Sequence, residues 1–330
     1  MKRTGFISII ILQIMSIILI FGISITYNNI SMLSISSSET KTLQLNTLSE
    51  SILNRLIYNP YYIKKYIYPY LKKECKDNFK KDMYKVKLNE DLFKDIKGQY
   101  INIKFDDINN RKYLNIKTEI LYQNVSSNIS CSGPIINDLF ELGNPYINYS
   151  QLEAEEIESF DFLLDSIKNE MKDYRKDLSS KFASIFLKDD SLTITRSNNN
   201  ELITNFNDKK LNTKHNFLFI EKDKNKNLEL IIGEEDHIND KKINLSGIIF
   251  IEGNFVVNQD LDFKGILIVQ DGEFIINKDV DLNVEGIIIH KGYINKFPQL
   301  NLSYNKNYIY YYGIELPGFM NLYPELIKKY

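Results

Sequence analysis

The chain has 330 residues, with 41 Lys and Arg against 43 Asp and Glu and a formal charge of −2. This near-neutral balance argues against a dedicated nucleic-acid binder, and 43% hydrophobic content excludes a disordered chain and supports a sizeable core. The length suits one large domain or two small ones.

The first predicted element is a membrane helix. Phe6 to Tyr27 carries no charge and is mostly Ile, Leu, Met and Phe, and about 20 such residues cross the hydrocarbon core. Lys2 and Arg3 precede it, and the next charged residue is Glu39. The positive-inside bias puts the N-terminus in the cytoplasm and the rest outside. A cleaved secretory signal is the alternative, but the apolar run is long and no Ala-x-Ala site follows it. No Gly or Pro falls between Ile23 and Asn59, and Leu45, Leu48, Ile52 and Leu56 step by three or four, so the helix is expected to run on to about Tyr58. Ser31 to Thr42 is rich in Ser and Thr, which predicts a kink or melted turn there.

The junction Lys2-Arg3-Thr4-Gly5-Phe6 resembles the leader of type IV pilins and type II secretion pseudopilins. In that family a short basic leader ends in Gly, a prepilin peptidase cuts after it, and the new N-terminus is methylated. The resemblance implies cleavage after Gly5, methylation of Phe6, and partners that are membrane lipid, other pilin-like subunits and a membrane assembly platform. One departure stands out: the family's major subunits carry Glu at the fifth mature position, where this chain has Ile10. Such a carboxylate pairs with a neighbour's terminal amine, which Ile10 cannot do. In the resembling proteins its absence marks minor subunits, notably those at the tip.

Further along, Lys64 to Lys97 is the most basic stretch, read as a solvated helix face or as a patch for anionic cell-wall polymers or DNA. Cys75 and Cys131 are the two cysteines. Outside the cytoplasm they are free to pair as a disulfide; two separate thiols are the alternative. Gln99 to Gln123 alternates as a hairpin with its turn at Asp107 to Arg111. Ser150 and Glu153 form a candidate capping box. It opens a helix whose stripe runs from Ile157 through Phe160, Leu164, Ile167, Met171, Tyr174 and Leu178 to Phe182. This stripe reads as core packing or as a coiled-coil contact. Short strands follow at Leu192 to Thr195, Leu202 to Phe206, Phe217 to Ile220 and Leu228 to Ile232.

The clearest internal pattern is a glycine-bounded repeat. Gly247 to Gly253, Gly265 to Gly272 and Gly286 to Gly292 align, each opening with a run of apolar β-formers. A period near 20 with short strands predicts a parallel β-solenoid with Gly247, Gly253, Gly265, Gly272, Gly286 and Gly292 at its corners. Asn258 and Asn277 match and are placed to ladder along the stack. An antiparallel meander is the alternative. The pattern resembles the Gly-rich β-repeat of bactofilins and of clostridial pilin-like heads. The Tyr-rich segment that follows is expected to cover the end of the solenoid, with a carbohydrate-binding patch as the alternative.

His215, His237 and His290 are widely spaced, and no nucleophile elbow, phosphate loop or metalloprotease helix is present. Glu234 to His237 reads as a solvated acidic loop. Three coils are too few for the lined cleft of a polysaccharide lyase. The expectation is therefore an α+β protein that is not an enzyme and needs no metal or cofactor. Its parts are a leader (1–5), a transmembrane and extended helix (6–58), a mixed α/β head (59–242), a β-solenoid (243–296) and a Tyr-rich cap (297–330). As a whole it reads as a minor pilin-like subunit of a pilus, secretion or competence machine. A plain membrane-anchored surface protein is the alternative, and a cell-envelope polysaccharide hydrolase ranks third.

Overall fold

A computed structural model describes residues 3–322 apart from 78, 80–82, 89–96, 123–124, 198–200, 213, 225–226, 235–241 and 293–299, together with 326–329. Helix α1 runs without interruption over Arg3–Tyr58. The expected break at Ser31 to Thr42 does not occur. There the Thr40 and Thr42 hydroxyls donate to the carbonyls of Ser36 and Ser38, 2.8 and 2.9 Å away, so the polar side chains are satisfied inside the helix. Leu45, Ile52, Leu53, Leu56 and Ile57 are buried against the sheet described next. Asn59 ends α1 and starts the next segment, its side-chain oxygen accepting the Tyr61 N–H at 3.0 Å with Pro60 at the first helical position. That segment comprises α2 (Pro60–Tyr62), a π-turn (Ile63–Ile67) and α3 (Tyr68–Asp77).

Strands β1 (Tyr84–Lys87), β2 (Lys97–Ile108), β3 (Arg111–Tyr122) and β4 (Val125–Pro134) form an antiparallel sheet. β2 and β3 make the expected hairpin, closed by Asn109 and Asn110 at φ 53° and 66°, as a two-residue turn between twisted strands requires. Cys75 and Cys131 are both buried and free, so the disulfide left open by the sequence is not made. Burial pushes both thiols up, which leaves them as small apolar groups in the core. After β5 (Tyr146–Asn148) comes α4 (Ala154–Lys181). Its N-terminus is shifted from the predicted one. Ser150 lies in a 3-10 turn with its hydroxyl 2.5 Å from Asn148 Oδ1, and the Glu153 N–H donates to Glu156 Oε2 at 2.9 Å instead.

The rest of the chain winds between two facing sheets. One is parallel throughout and contains β6 (Ala183–Lys188), β10 (Asn216–Glu221), β12 (Ile243–Glu252), β14 (Leu261–Gln270), β16 (Leu282–Lys291) and β17 (Leu300–Ser303). The other stacks β7 (Leu192–Arg196), β11 (Glu229–Ile232), β13 (Asn254–Val257) and β15 (Phe274–Ile276), with a hairpin of β8 (Leu202–Thr204) and β9 (Lys210–Leu211) on the end. This is a parallel solenoid, not a meander, and it has more rungs than the three announced by the repeat: the ladder begins at Ala183, well before Ile243. The first two rungs escaped detection because Ala183 and Asn216 occupy the register of Gly247, Gly265 and Gly286, and the β8–β9 hairpin breaks their spacing.

The parallel sheet is buried on both faces. Leu218, Ile249, Leu267 and Ile288 face the second sheet, whereas Phe219, Phe250, Ile268 and Ile289 join the core made with the helices. Double burial explains why these strands read as unbroken apolar runs. Helix α5 (Lys306–Gly313) packs on this outer face, across β12, β14 and β16, before β18 (Leu326–Lys329) joins β4 in the first sheet. The Tyr-rich segment therefore does not cover the solenoid's end as expected. Tyr310 and Tyr312 are buried because the apolar face of the sheet needs a lid more than its ends do.

Candidate functional site

Two features stand out as functional: the exposed half of α1 and the solenoid built into the head. From Ile10 to Ile35 the apolar side chains of α1 are exposed to between 38 and 71%. No other described helix is long and apolar enough to cross a membrane, and none of its most apolar window is buried in the head. The chain is thus a single-pass membrane-anchored protein with an α/β domain outside the bilayer. Arg3, Gly5 and Phe6 already lie within α1, and Lys2 falls outside the described residues.

The six glycines of the repeat stand in two columns. Gly253 and Gly272 link strands of one sheet to strands of the other, and Gly292 follows β16. Gly247, Gly265 and Gly286 instead lie inside the long strands, paired in register. Gly265 has φ 144°, and a Cβ on it would collide with the carbonyl oxygen of Gly247 one rung below. Side-chain ladders run along the same stack. Asn277 donates to Asn258 at 2.8 Å, as their matching positions suggest, and Asn301 to Asn283 to Asp262 forms another, at 2.9 and 2.8 Å.

Further strands flank the solenoid at both ends. At the first rung, Leu202 and Leu211 of the β8–β9 hairpin are buried in the inner core beside Ile185 and Leu187, and the Lys209 ammonium reaches the Ser184 carbonyl. At the last, β17 pairs with one half of β16 and β5 with the other. A latch holds β5. His290 is fully buried. Its Nε2 lies 2.9 Å from the Gly272 carbonyl, which can only accept, so Nε2 carries the proton. Nδ1 therefore accepts from the Tyr146 hydroxyl at 2.8 Å, and Tyr146 in turn accepts from Asn148 at 3.2 Å.

Burial lowers the pKa of His290, with the Gly272 carbonyl opposing. A histidine whose folded pKa lies below its unfolded value stabilises the fold fully above about pH 6.5 and loses that contribution as pH falls through the folded value. Melting followed by circular dichroism should therefore show a temperature that drops from neutral to mildly acidic pH. In His290→Gln the protein should start lower at neutral pH but lose this part of the slope. An unchanged slope in the variant would mean that other groups set the pH dependence.

His215 sits among the rings of Phe182, Tyr311 and Tyr312, and His237 falls outside the described residues together with most of the acidic loop Glu234 to His237. Among the described residues no group of three or more His, Cys, Asp or Glu is placed to hold a metal. What sequence reasoning missed is Glu315, which is 4% exposed. Its carboxylate pairs with Lys72 at 2.6 Å, Lys181 at 3.3 Å and Lys76 at 3.6 Å, tying α3, the end of α4 and the loop after α5 together. Burial acts to raise its pKa, but Lys72, with Lys181 and Lys76, outweighs that and holds the carboxyl below its usual range. No sequence motif announces it, because its partners are scattered along the chain.

No protein-family model, no curated protein and no solved structure matches this chain.

Proposed function

We propose that this protein is a surface protein anchored by α1, whose solenoid head serves as a non-catalytic binding or assembly module outside the membrane. The observation that carries this reading is the division of one helix into an exposed apolar half and a half buried in the head. The cleft beside the end of α1 holds carboxylates, but three of them stand on a single helix and Glu315 is bound by lysines. In intact cells, added protease should digest the head, and alkaline carbonate should leave the protein in the membrane. A protected head or carbonate release would overturn the reading.

A second reading is a minor pilin-like subunit, supported by Lys2-Arg3-Thr4-Gly5-Phe6 followed by an unbroken helix. Its partners would be other pilin-like subunits, the assembly platform and the prepilin peptidase, and Ile10 would make it scarce in the filament. Mass spectrometry of the mature N-terminus should then find a methylated Phe6, and Gly5→Val should block the cut. A chain still beginning at Met1 with the peptidase present would remove the pilin reading and leave the anchor intact.

A further inference from the structure

A cleft of about 540 Å³ opens where the end of α1, helix α4 and the loop after α5 meet. Its volume lies in the range of ligand pockets, roughly 300–1,000 Å³. The floor is apolar and draws on each element: Ile57, Tyr68, Leu178 and Leu316. Tyr68 is fixed there, its hydroxyl donating to the Ile314 carbonyl at 3.1 Å.

One wall is α4, which presents Glu170, Asp173 and Asp177 on successive turns. None of the three carboxylates has a hydrogen-bond or ion-pair partner among the described residues. Burial raises the pKa of Glu170, Asp173 adds to this and Lys64, which also lines the cleft, opposes it; with Glu315 the lining holds four carboxylates against the two lysines Lys64 and Lys181, so it is acidic on balance. Glu315 and Lys181 also line the cleft, but they pair with each other. Ser166, on the same wall, is 7% exposed, and its hydroxyl has no partner among the described residues, although Ser179 in the same helix bonds back to the Arg175 carbonyl at 2.8 Å. A serine that lines the cleft and has no protein partner is free to bond a ligand there.

We propose that this cleft binds a basic, apolar-flanked peptide segment of a partner protein. Acids one turn apart on a helix stand about 5–6 Å from one another. An extended peptide sets alternate side chains on one side at a spacing of about 7 Å. Lys or Arg at alternate positions would meet the α4 wall while the residues between them meet the apolar floor, and Ser166 would take a backbone group. The site is separate from the solenoid strands and does not depend on how the solenoid is used.

The test uses the full chain in nanodiscs of phosphatidylcholine, with a fluorescein-labelled Lys-Leu-Lys-Leu-Lys peptide followed by anisotropy and empty nanodiscs as background. Saturable binding above background is expected, weakening as salt rises. The triple variant Glu170→Gln, Asp173→Asn and Asp177→Asn should bind at least about tenfold more weakly with a melting temperature no lower than the native protein's, since it relieves like-charge repulsion along the helix. A Lys-Ser-Lys-Ser-Lys peptide should also bind poorly. Binding no greater than to empty nanodiscs, or unchanged in the triple variant, would overturn the proposal. So would displacement of the peptide by spermidine at equal charge, which would make the cleft a plain cation site.

Discussion

Replacing Gly265 by valine should lower the stability of the head by about 2–5 kcal/mol, from about 1–2 kcal/mol of left-handed backbone strain and about 1–3 kcal/mol of overpacking. Both contributions act at one place. Gly265 has φ 144° and sits in the middle of β14, and any Cβ would collide with the Gly247 carbonyl of the rung below. The same relation links Gly286 to Gly265, so pushing one rung aside disturbs the pairing on both sides. Thermal melting of a version beginning at Asn28, whose core starts only at Leu45, should show a fall of about 4–20 °C. The neighbouring change Lys264→Ala removes a half-exposed pair with Glu285 at 3.1 Å and should cost no more than about 1 kcal/mol. Equal, small effects from both changes would mean that the rungs tolerate separation and that close approach is not what the glycine serves.

Glu315→Gln should be almost as damaging, at about 2–4 kcal/mol, because it leaves lysine ammoniums facing one another with no counter-charge. The figure is set below that for a fully buried pair because Lys76 and Lys181 are each 39% exposed and so partly solvated. The pH dependence gives a separate check. A carboxylate with a depressed folded pKa stabilises above its unfolded value, near 4.5 for this type of group, and that contribution is lost as pH falls through the folded value. The variant should therefore be less stable than the native protein at pH 7 and approach it as the medium becomes strongly acidic. Denaturation that separates the two proteins by the same amount at both extremes would assign the loss to packing and not to charge.

The parts of this fold that sequence made legible are those where one segment carries its own pattern. The apolar run of α1, the alternation on β2 and β3, the stripe on α4 and the glycine repeat each impose a period that local chemistry enforces. The parts that stayed hidden depend on distant partners. β5 is a three-residue strand that exists because the exposed edge of β16 recruits it. Val125–Pro134 is rich in Ser and becomes β4 only because β3 and α1 pack against it. The first solenoid rungs use Ala183 and Asn216 where later ones use glycine, so the repeat fades before the ladder does. Of the candidate sites, the anchor could be read directly, whereas the Glu315 knot and the cleft on α4 arise from residues brought together only by folding.

That α1 serves as both anchor and core has a mechanical meaning. The stretch between the membrane span and the head is continuous helix, so no flexible tether lets the domain swivel. A pull on the head, from a partner or from flow, travels along the helix axis and loads the contacts of Leu45, Ile52, Leu53 and Leu56 with the antiparallel sheet together, in shear rather than one after another. Failure under tension would require the whole buried length of α1 to slide at once, an arrangement that suits an element meant to hold its position under load.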